Sequence, residues 1–242
     1  MKVLVPDYYH RFHCIAGACR HSCCAGWEID IDPQSLARYL QDPKMQKNIS
    51  LEGTPHFILG PEDRCPYLNR DGLCDLILEK GEGELCQICA DHPRFRNFWT
   101  GRIEMGLGLA CEEAARIILF APRRAELVEL EAQGDGSPVS SGADASGELP
   151  EDEQWLLDLR QSMLDQVQGD GPDARLLEYL IFRHLADALY DGKLQERIAF
   201  IQRCYDDILD LWDASDGSHE ALVECARAYS AEHEYNIQSE IE

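Results

Sequence analysis

Cysteine is concentrated in the first half of this chain, and this distribution limits the possible folds more than any other feature. Nine of the eleven cysteines fall within the first 111 of 242 residues. Thiolates are ligands for zinc and for iron–sulfur clusters, so such a dense group indicates a segment that folds around a metal. The nine candidate metal ligands are Cys14, Cys19, Cys23, Cys24, Cys65, Cys74, Cys86, Cys89 and Cys111.

Disulfide bonds and core packing account for these cysteines less well than a metal does. Structural disulfides belong to oxidising compartments, whereas the cysteine count here is odd and the first residues lack the apolar run of a secretion signal. We therefore expect a cytoplasmic protein. Packing in a hydrophobic core explains one or two cysteines and not nine. Core packing is the expectation for Cys204 and Cys225, which lie in helical patterns.

The cysteine spacings leave the type of metal centre open. Cys86-x2-Cys89 has the spacing of a zinc knuckle, but Cys65-x8-Cys74 and Cys19-x3-Cys23 are irregular. Wide and uneven spacings favour an iron–sulfur cluster wrapped by loops, expected to be of the 4Fe-4S type, with zinc as the alternative. A thiol–disulfide role for Cys86 and Cys89 lacks the βαβ context that such proteins have.

The charge of the chain excludes several partners. A net charge of -23 offers no cationic surplus to grip nucleic acid by its phosphates or to bind an anionic membrane surface. We also find no apolar run long enough to span a membrane. We therefore expect no nucleic acid and no membrane among the partners.

Composition divides the chain into predicted domains. Gly, Ser and Asp dominate residues 133–147, which hold almost no large apolar side chains, as in a flexible linker. We therefore predict a cysteine-cluster domain over 1–122, an acidic flexible linker over 123–153 and a helical domain over 154–242. The fold class is mainly α, with an irregular cysteine-rich metal domain containing short strands and a small C-terminal helical bundle.

The hydrophobic periodicity after the linker predicts four helices. Apolar residues recur at steps of three and four from Trp155 to Val167, from Ala174 to Tyr190, from Leu194 to Trp212 and from Leu222 to Tyr229. Gly-containing loops separate these segments, and short loops between antiparallel helices are typical of a bundle.

The first half is less regular. Residues 29–32 and 57–59 read as short strands, and Asp32-Pro33 predicts the start of a helix, with Asp32 as its N-cap. Residues 65–77 read as a hairpin that would bring Cys65 and Cys74 onto one face. A last helix is predicted over 114–119, ended by Pro122. Cys111 lies near its N-terminus, where the helix dipole favours a thiolate, so it is a ligand, a reactive thiol or a small residue at a tight cap.

The histidines near the cysteines are not needed as ligands, and the nearby arginines have several possible roles. His10, His13 and His21 are expected to be solvated or hydrogen-bonded, because cysteine alone supplies enough ligands. Arg94 or Arg96 would offset the negative charge of a thiolate-bound cluster, clamp a carboxylate, or lie at the surface.

Several motifs, in order, resemble the flagellin lysine-N-methylase (FliB) family, which is related to the YkgJ-type zinc- or iron-chelating cysteine-cluster proteins. The resemblance covers about residues 5–120. The motifs that carry it are the segment 12–32, Cys65-Pro66-Tyr67-Leu68, Gly72-Leu73-Cys74, Leu85-Cys86-Gln87-Ile88-Cys89, His92-Pro93-Arg94 and the segment 109–116.

This resemblance implies an iron–sulfur centre, S-adenosylmethionine as the methyl donor and the ε-amine of flagellin lysines as the acceptor. The nine cysteines carry over by position as cluster ligands. The function expected from the resemblance is thus an iron–sulfur protein-lysine N-methyltransferase that acts on flagellin. The alternative is a non-catalytic iron–sulfur or zinc module for redox sensing or metal handling. No motif for the S-adenosylmethionine pocket or for a catalytic base is found.

Overall fold

The computed structural model describes residues 1–130 and 149–234. These residues are mainly helical, with a small mixed sheet. The strands are β1 Lys2–Pro6, β2 Ile49–Ser50, β3 His56–Phe57, β4 Arg94–Trp99, β5 Arg102–Leu107 and β6 Leu127–Glu129. The helices are α1 Pro33–Tyr39, α2 Pro43–Gln46, α3 Asp75–Lys80, α4 Gln87–Asp91, α5 Glu112–Leu119, α6 Glu151–Gln166, α7 Pro172–His184, α8 Ala188–Asp191, α9 Leu194–Asp213 and α10 His219–Tyr229.

The chain forms two compact units. Unit 1 comprises Met1–His13 and Pro93–Glu242, and unit 2 comprises Cys14–His92. These units differ from the predicted domains 1–122 and 154–242, because residues on both sides of the predicted linker 123–153 belong to unit 1. The centre of that linker, residues 131–148, lies outside the described residues.

A four-stranded sheet explains why the two ends of the cysteine-rich half belong to unit 1. Its order is β4-β5-β1-β6. Strand β1 pairs in parallel with β5 and antiparallel with β6, and β4 pairs antiparallel with β5. Gly101, in the tight turn between β4 and β5, has a φ of 76°, which glycine adopts without strain. The sequence patterns above predict none of these four strands.

The helices of unit 1 follow the predicted periodicity closely. Helices α6, α9 and α10 cover three of the predicted segments. The fourth, 174–190, is interrupted after His184 by a short 3₁₀ turn, Leu185–Asp187, before α8. Helix α5 packs against α7 and α10, so the bundle includes a helix from the predicted cysteine domain. Along the described part of the chain, no helix combines the length and the apolar character needed to cross a membrane.

Unit 2 consists of short helices, turns and a two-stranded sheet. Strands β2 and β3 pair antiparallel, and Asp30 forms a single bridge with His56, within the predicted strand 29–32. Asp32 caps α1 as predicted: its Oδ1 accepts from the Ser35 amide at 2.9 Å. The predicted hairpin over 65–77 is wrong beyond one bridge between Leu68 and Cys74, because α3 begins directly afterwards.

Unit 1 buries an ion pair between its sheet and α6. The Glu104 carboxylate is fully buried and accepts from Arg160 Nη1 at 2.5 Å and from Nη2 at 2.9 Å. Arg102 Nη2 and Trp99 Nε1 donate to the same carboxylate at 2.8 and 3.0 Å. Removing one member of a buried pair leaves an uncompensated charge in a low-dielectric interior.

We therefore expect Arg160→Met to lower the free energy of unfolding by about 3–5 kcal/mol. The matched control is Arg123→Met, since Arg123 lies at the surface and pairs with Asp7 and Glu126. An exposed pair contributes about 1 kcal/mol or less. Urea unfolding followed by circular dichroism measures both losses, and equal losses would contradict the stabilising role of the buried pair.

Candidate metal centre

Unit 2 contains eight of the nine predicted ligands, and Cys111 lies in unit 1. Five of the eight belong to one hydrophobic cluster. Cys65 and Cys86 are buried members of it, and Cys24, Cys74 and Cys89 pack against it partly buried. Each of these five thiols interacts electrostatically with at least one other of the five. The fold of unit 2 therefore gathers thiols from three separate stretches of sequence.

Helix α4 presents the pair Cys86 and Cys89. Cys86 is its N-cap residue and Cys89 lies in its first turn. A hydrogen bond joins the two thiols, and it lowers the pKa of Cys86 while raising that of Cys89 well above its usual range. The two opposite shifts make Cys89 the donor and Cys86 the acceptor of this hydrogen bond, and both thiols would have to lose their protons to ligate a metal.

Asp32 fixes the position of α4. Its Oδ2 accepts from the Gln87 amide at 2.8 Å, while its Oδ1 caps α1. Burial raises the pKa of the Asp32 carboxyl, but the Gln87 and Ser35 amides outweigh this effect and the net pKa is lowered. One carboxylate therefore anchors the first turns of two helices, including the helix that carries Cys86 and Cys89.

Cys24, Cys65 and Cys74 are joined by backbone contacts. The Cys65 amide donates to the Cys24 carbonyl at 2.8 Å. A hydrogen bond from Cys23 lowers the pKa of Cys24 to about 7; burial opposes this shift, and Ser22 and the Arg64 charge assist it. Burial raises the pKa of Cys65 to about 12 and also raises that of Cys74. Cys24 is thus the thiol of the three most easily converted to a thiolate.

The remaining predicted ligands lie outside this hydrophobic cluster. Cys14 and Cys23 are exposed, and the Cys19 thiol donates to the His21 carbonyl at 2.6 Å. Cys111 is the N-cap residue of α5, as the sequence predicts, and its backbone carbonyl accepts from the Ala115 amide at 2.8 Å. The role of these four residues as ligands stays a prediction.

The cysteine side chains are chemically suited to bind a metal centre as thiolates. All eleven cysteines lie in the described residues, and none is joined in a disulfide. Within residues 1–130 and 149–234, no group of three or more His, Cys, Asp or Glu side chains is already arranged to hold a metal ion. The five thiols of the hydrophobic cluster are soft ligands, two of them buried and three partly buried, a combination suited to zinc or iron–sulfur chemistry.

Sequence patterns alone do not identify the cation beside these thiols. Arg64 acts electrostatically on Cys24, although the sequence pointed to Arg94 and Arg96. Those two residues belong to β4 in unit 1, where Arg94 Nε donates to Tyr9 Oη at 2.8 Å. The bridge between Ala25 and Arg64 brings Arg64 close to Cys24. The sequence pointed to this contact only in that Arg64 directly precedes Cys65.

The chain is similar to curated proteins of Salmonella. It is 30% identical over 143 residues to a lysine-N-methylase of Salmonella typhimurium, and 29% identical over 143 residues to one of Salmonella choleraesuis. Each match covers 53% of this chain and 35% of the methylase, so the chain matches about a third of the length of these relatives. No family model matches the chain, and no solved structure matches it.

A third relative is covered over most of its length. The flagellar biosynthetic protein FliU of Salmonella muenchen is 30% identical over 134 residues, which is 50% of this chain and 79% of that protein. This coverage extends the similarity from a shared segment to most of a related protein.

Replacing Asp32 tests how α4 is held. We expect Asp32→Ala to remove two caps, at about 1 kcal/mol each, and to speed hydrogen exchange at the Gln87 amide. Asp42→Ala is the control, because Asp42 caps α2 through the Lys44 amide and its ion-pair partner, Lys80, belongs to α3 and not to α4. Exchange measured by NMR separates the two variants, and unchanged exchange at Gln87 in Asp32→Ala would contradict the anchoring role.

The division of the cysteines is tested by metal content. Cys86→Ser and Cys89→Ser should each release most of the bound metal from anaerobically purified protein, because both thiols belong to the gathered set. Cys204→Ala and Cys225→Ala, in α9 and α10, should keep it. Iron, zinc and acid-labile sulfide per chain are the readouts. Equal losses in both groups would show that the cysteines are wrongly divided.

Proposed function

This chain belongs to the FliB-type lysine-N-methylase family, and from this premise we propose that it methylates lysine side chains of flagellin. The proposed methyl donor is S-adenosylmethionine, and the proposed resident group is an iron–sulfur cluster held by thiolates of unit 2. The observation that carries the proposal is the similarity to lysine-N-methylases together with the coverage of FliU. The names of these relatives supply the reaction and the flagellar context.

In the proposed reaction, a methyl group moves from S-adenosylmethionine to the lysine nitrogen. S-adenosylmethionine supplies, when bound, an electrophilic methyl group on a sulfonium. The lysine nitrogen forms the new N–C bond while the C–S bond breaks and its electron pair stays on sulfur. A lysine ammonium must first lose a proton, because its nitrogen has no lone pair while protonated. The protein must therefore bind the lysine side chain and receive that proton.

The thiols of unit 2 would hold the proposed cluster. Cys24, Cys65, Cys74, Cys86 and Cys89 are the residues best placed for this role, since they share one hydrophobic cluster. A bound iron–sulfur cluster would link turns that otherwise depend on a small core, and it would add a redox-active group. Arg64 would offset part of the negative charge of the thiolates.

A second candidate function is a metal-binding module without methyl transfer. The observation that favours it is coverage, since the match accounts for 35% of the length of each lysine-N-methylase. In this case the protein would bind the metal and take part in redox sensing or metal handling. Methyl transfer to lysine separates the two functions, whereas metal content does not.

We expect anaerobically purified holoprotein to add methyl groups to flagellin monomers in the presence of S-adenosylmethionine. Mass spectrometry of flagellin peptides should locate the added methyl groups on lysines. The Cys86→Ser/Cys89→Ser variant is the matched control for dependence on the metal centre. Unmodified flagellin, together with failure of the holoprotein to bind S-adenosylmethionine in calorimetry, would exclude methyl transfer and leave the metal-module function.

A further inference from the structure

Unit 2 carries an open cavity of about 590 Å³ on the outer face of its small sheet. Alternation along the strands determines which side chains reach it. Ile29 and Phe57 point inward and are almost fully buried, whereas Glu28 and Ile58 are exposed and line the cavity. Asp30 pairs with His56 across the sheet, so His56 lies on the outer face with them.

Four of the eight residues that line the cavity are apolar. Leu51 is 60% exposed and Ile58 is 50% exposed, and Leu59 continues the same surface. Phe57, at 2% exposed, closes the cavity from inside. These aliphatic side chains are exposed to water and lie together at one cavity. They therefore provide a surface against which an alkyl chain can pack.

The rim of the cavity is negatively charged. Glu28 and Glu52 line it, and none of the eight lining residues is Lys or Arg. Glu28 Oε2 lies 3.6 Å from His56 Nε2, and His56 Nδ1 lies 2.7 Å from the Thr54 carbonyl, to which it donates. The carboxylate of Glu52 makes no ion pair or hydrogen bond with any residue that the structure describes. Two carboxylates therefore face the cavity without a Lys or Arg side chain to balance them.

We propose that this cavity binds a lysine side chain of the partner protein. The four-carbon stem of lysine would lie against Leu51 and Ile58, and its ammonium would meet the carboxylates of Glu28 and Glu52. An anionic ligand would be repelled by the same carboxylates. A purely apolar segment would displace the water that solvates the two carboxylates and would offer no positive charge in its place, which is unfavourable. That this lysine is the methyl acceptor rests on the proposed function; the binding itself rests on the cavity.

The cavity and the gathered thiols share one core. Phe57 belongs to the hydrophobic cluster that contains Cys65 and Cys86, and Leu59 packs against it. The Phe57 ring also contacts Tyr39 and Tyr67, with centroids at 5.8 and 5.3 Å. A lysine stem in the cavity would therefore rest on a side chain of the same core that contains Cys65 and Cys86.

Binding is tested first with peptides and the full-length holoprotein. The probe is a fluorescein-labelled peptide with one central lysine flanked by alanine and serine. Two comparison peptides carry norleucine or arginine in place of that lysine. We expect the lysine peptide to bind at least 5-fold more tightly than the norleucine peptide, with a difference that shrinks at high salt. Equal binding of lysine and norleucine peptides, or tighter binding of arginine, would overturn the proposal.

The location is tested with variants that remove charge and preserve shape. Glu28→Gln/Glu52→Gln should weaken binding of the lysine peptide at least 5-fold and leave binding of the norleucine peptide unchanged. Glu79→Gln/Glu82→Gln is the matched control, since it removes two exposed carboxylates of unit 2 that do not line the cavity. Equal weakening in both double variants would mean that overall charge, and not this cavity, attracts the lysine.

Activity measurements separate this inference from the proposed function. If flagellin is methylated, Glu28→Gln/Glu52→Gln should raise KM for flagellin with little change in kcat, as expected for lost substrate binding. Methylation with an unchanged KM would overturn the cavity assignment and leave the proposed function intact. Specific lysine binding at the cavity without methyl transfer would support the cavity assignment and exclude the proposed function.

Discussion

The core of unit 2 is thin, and cysteine side chains form part of it. Nine residues are buried in its hydrophobic cluster, and two of the nine are cysteines. A core of this size contributes little stability by itself, and small domains usually add a disulfide or a metal. Without disulfides, the thiols are the groups through which unit 2 can gain that stability. A metal bound by these thiols would therefore be coupled to the folding of this unit.

Unit 1 is organised by a different principle. Its helices and its sheet share a large hydrophobic cluster, and several polar groups buried in unit 1 pair with one another. Glu104 receives four donors, and Tyr179 Oη accepts from the Leu109 amide at 3.2 Å while donating to Glu234 at 2.9 Å. Such pairing lets ionisable groups lie inside the fold. The core of unit 1 is mostly aliphatic and aromatic, and Cys204 is its buried thiol.

The sequence predicts those parts of the fold that depend on local patterns. Helices α9 and α10 and the Asp32 cap follow from periodicity and capping chemistry. Strands β4 and β5 were missed because Asn97 and Glu104 occupy positions that face the interior, so the polar pattern hid the strands. The packing of five thiols on one hydrophobic cluster does not follow from local patterns, because bridges such as Leu68 with Cys74 join segments through tertiary contacts.

Phe57 connects the two proposed sites of unit 2. Its ring is a buried member of the cluster that contains Cys65 and Cys86, and the same residue closes the cavity lined by Glu28 and Glu52. Packed side chains transmit a displacement to their neighbours, because protein interiors are dense and contain few voids. Losing a metal from the thiols would loosen the packing around Phe57, and the apolar wall for a lysine stem would loosen with it. Lysine binding at the proposed cavity would thus depend on a metal held by the thiols, although Glu28 and Glu52 do not belong to the hydrophobic cluster that contains them.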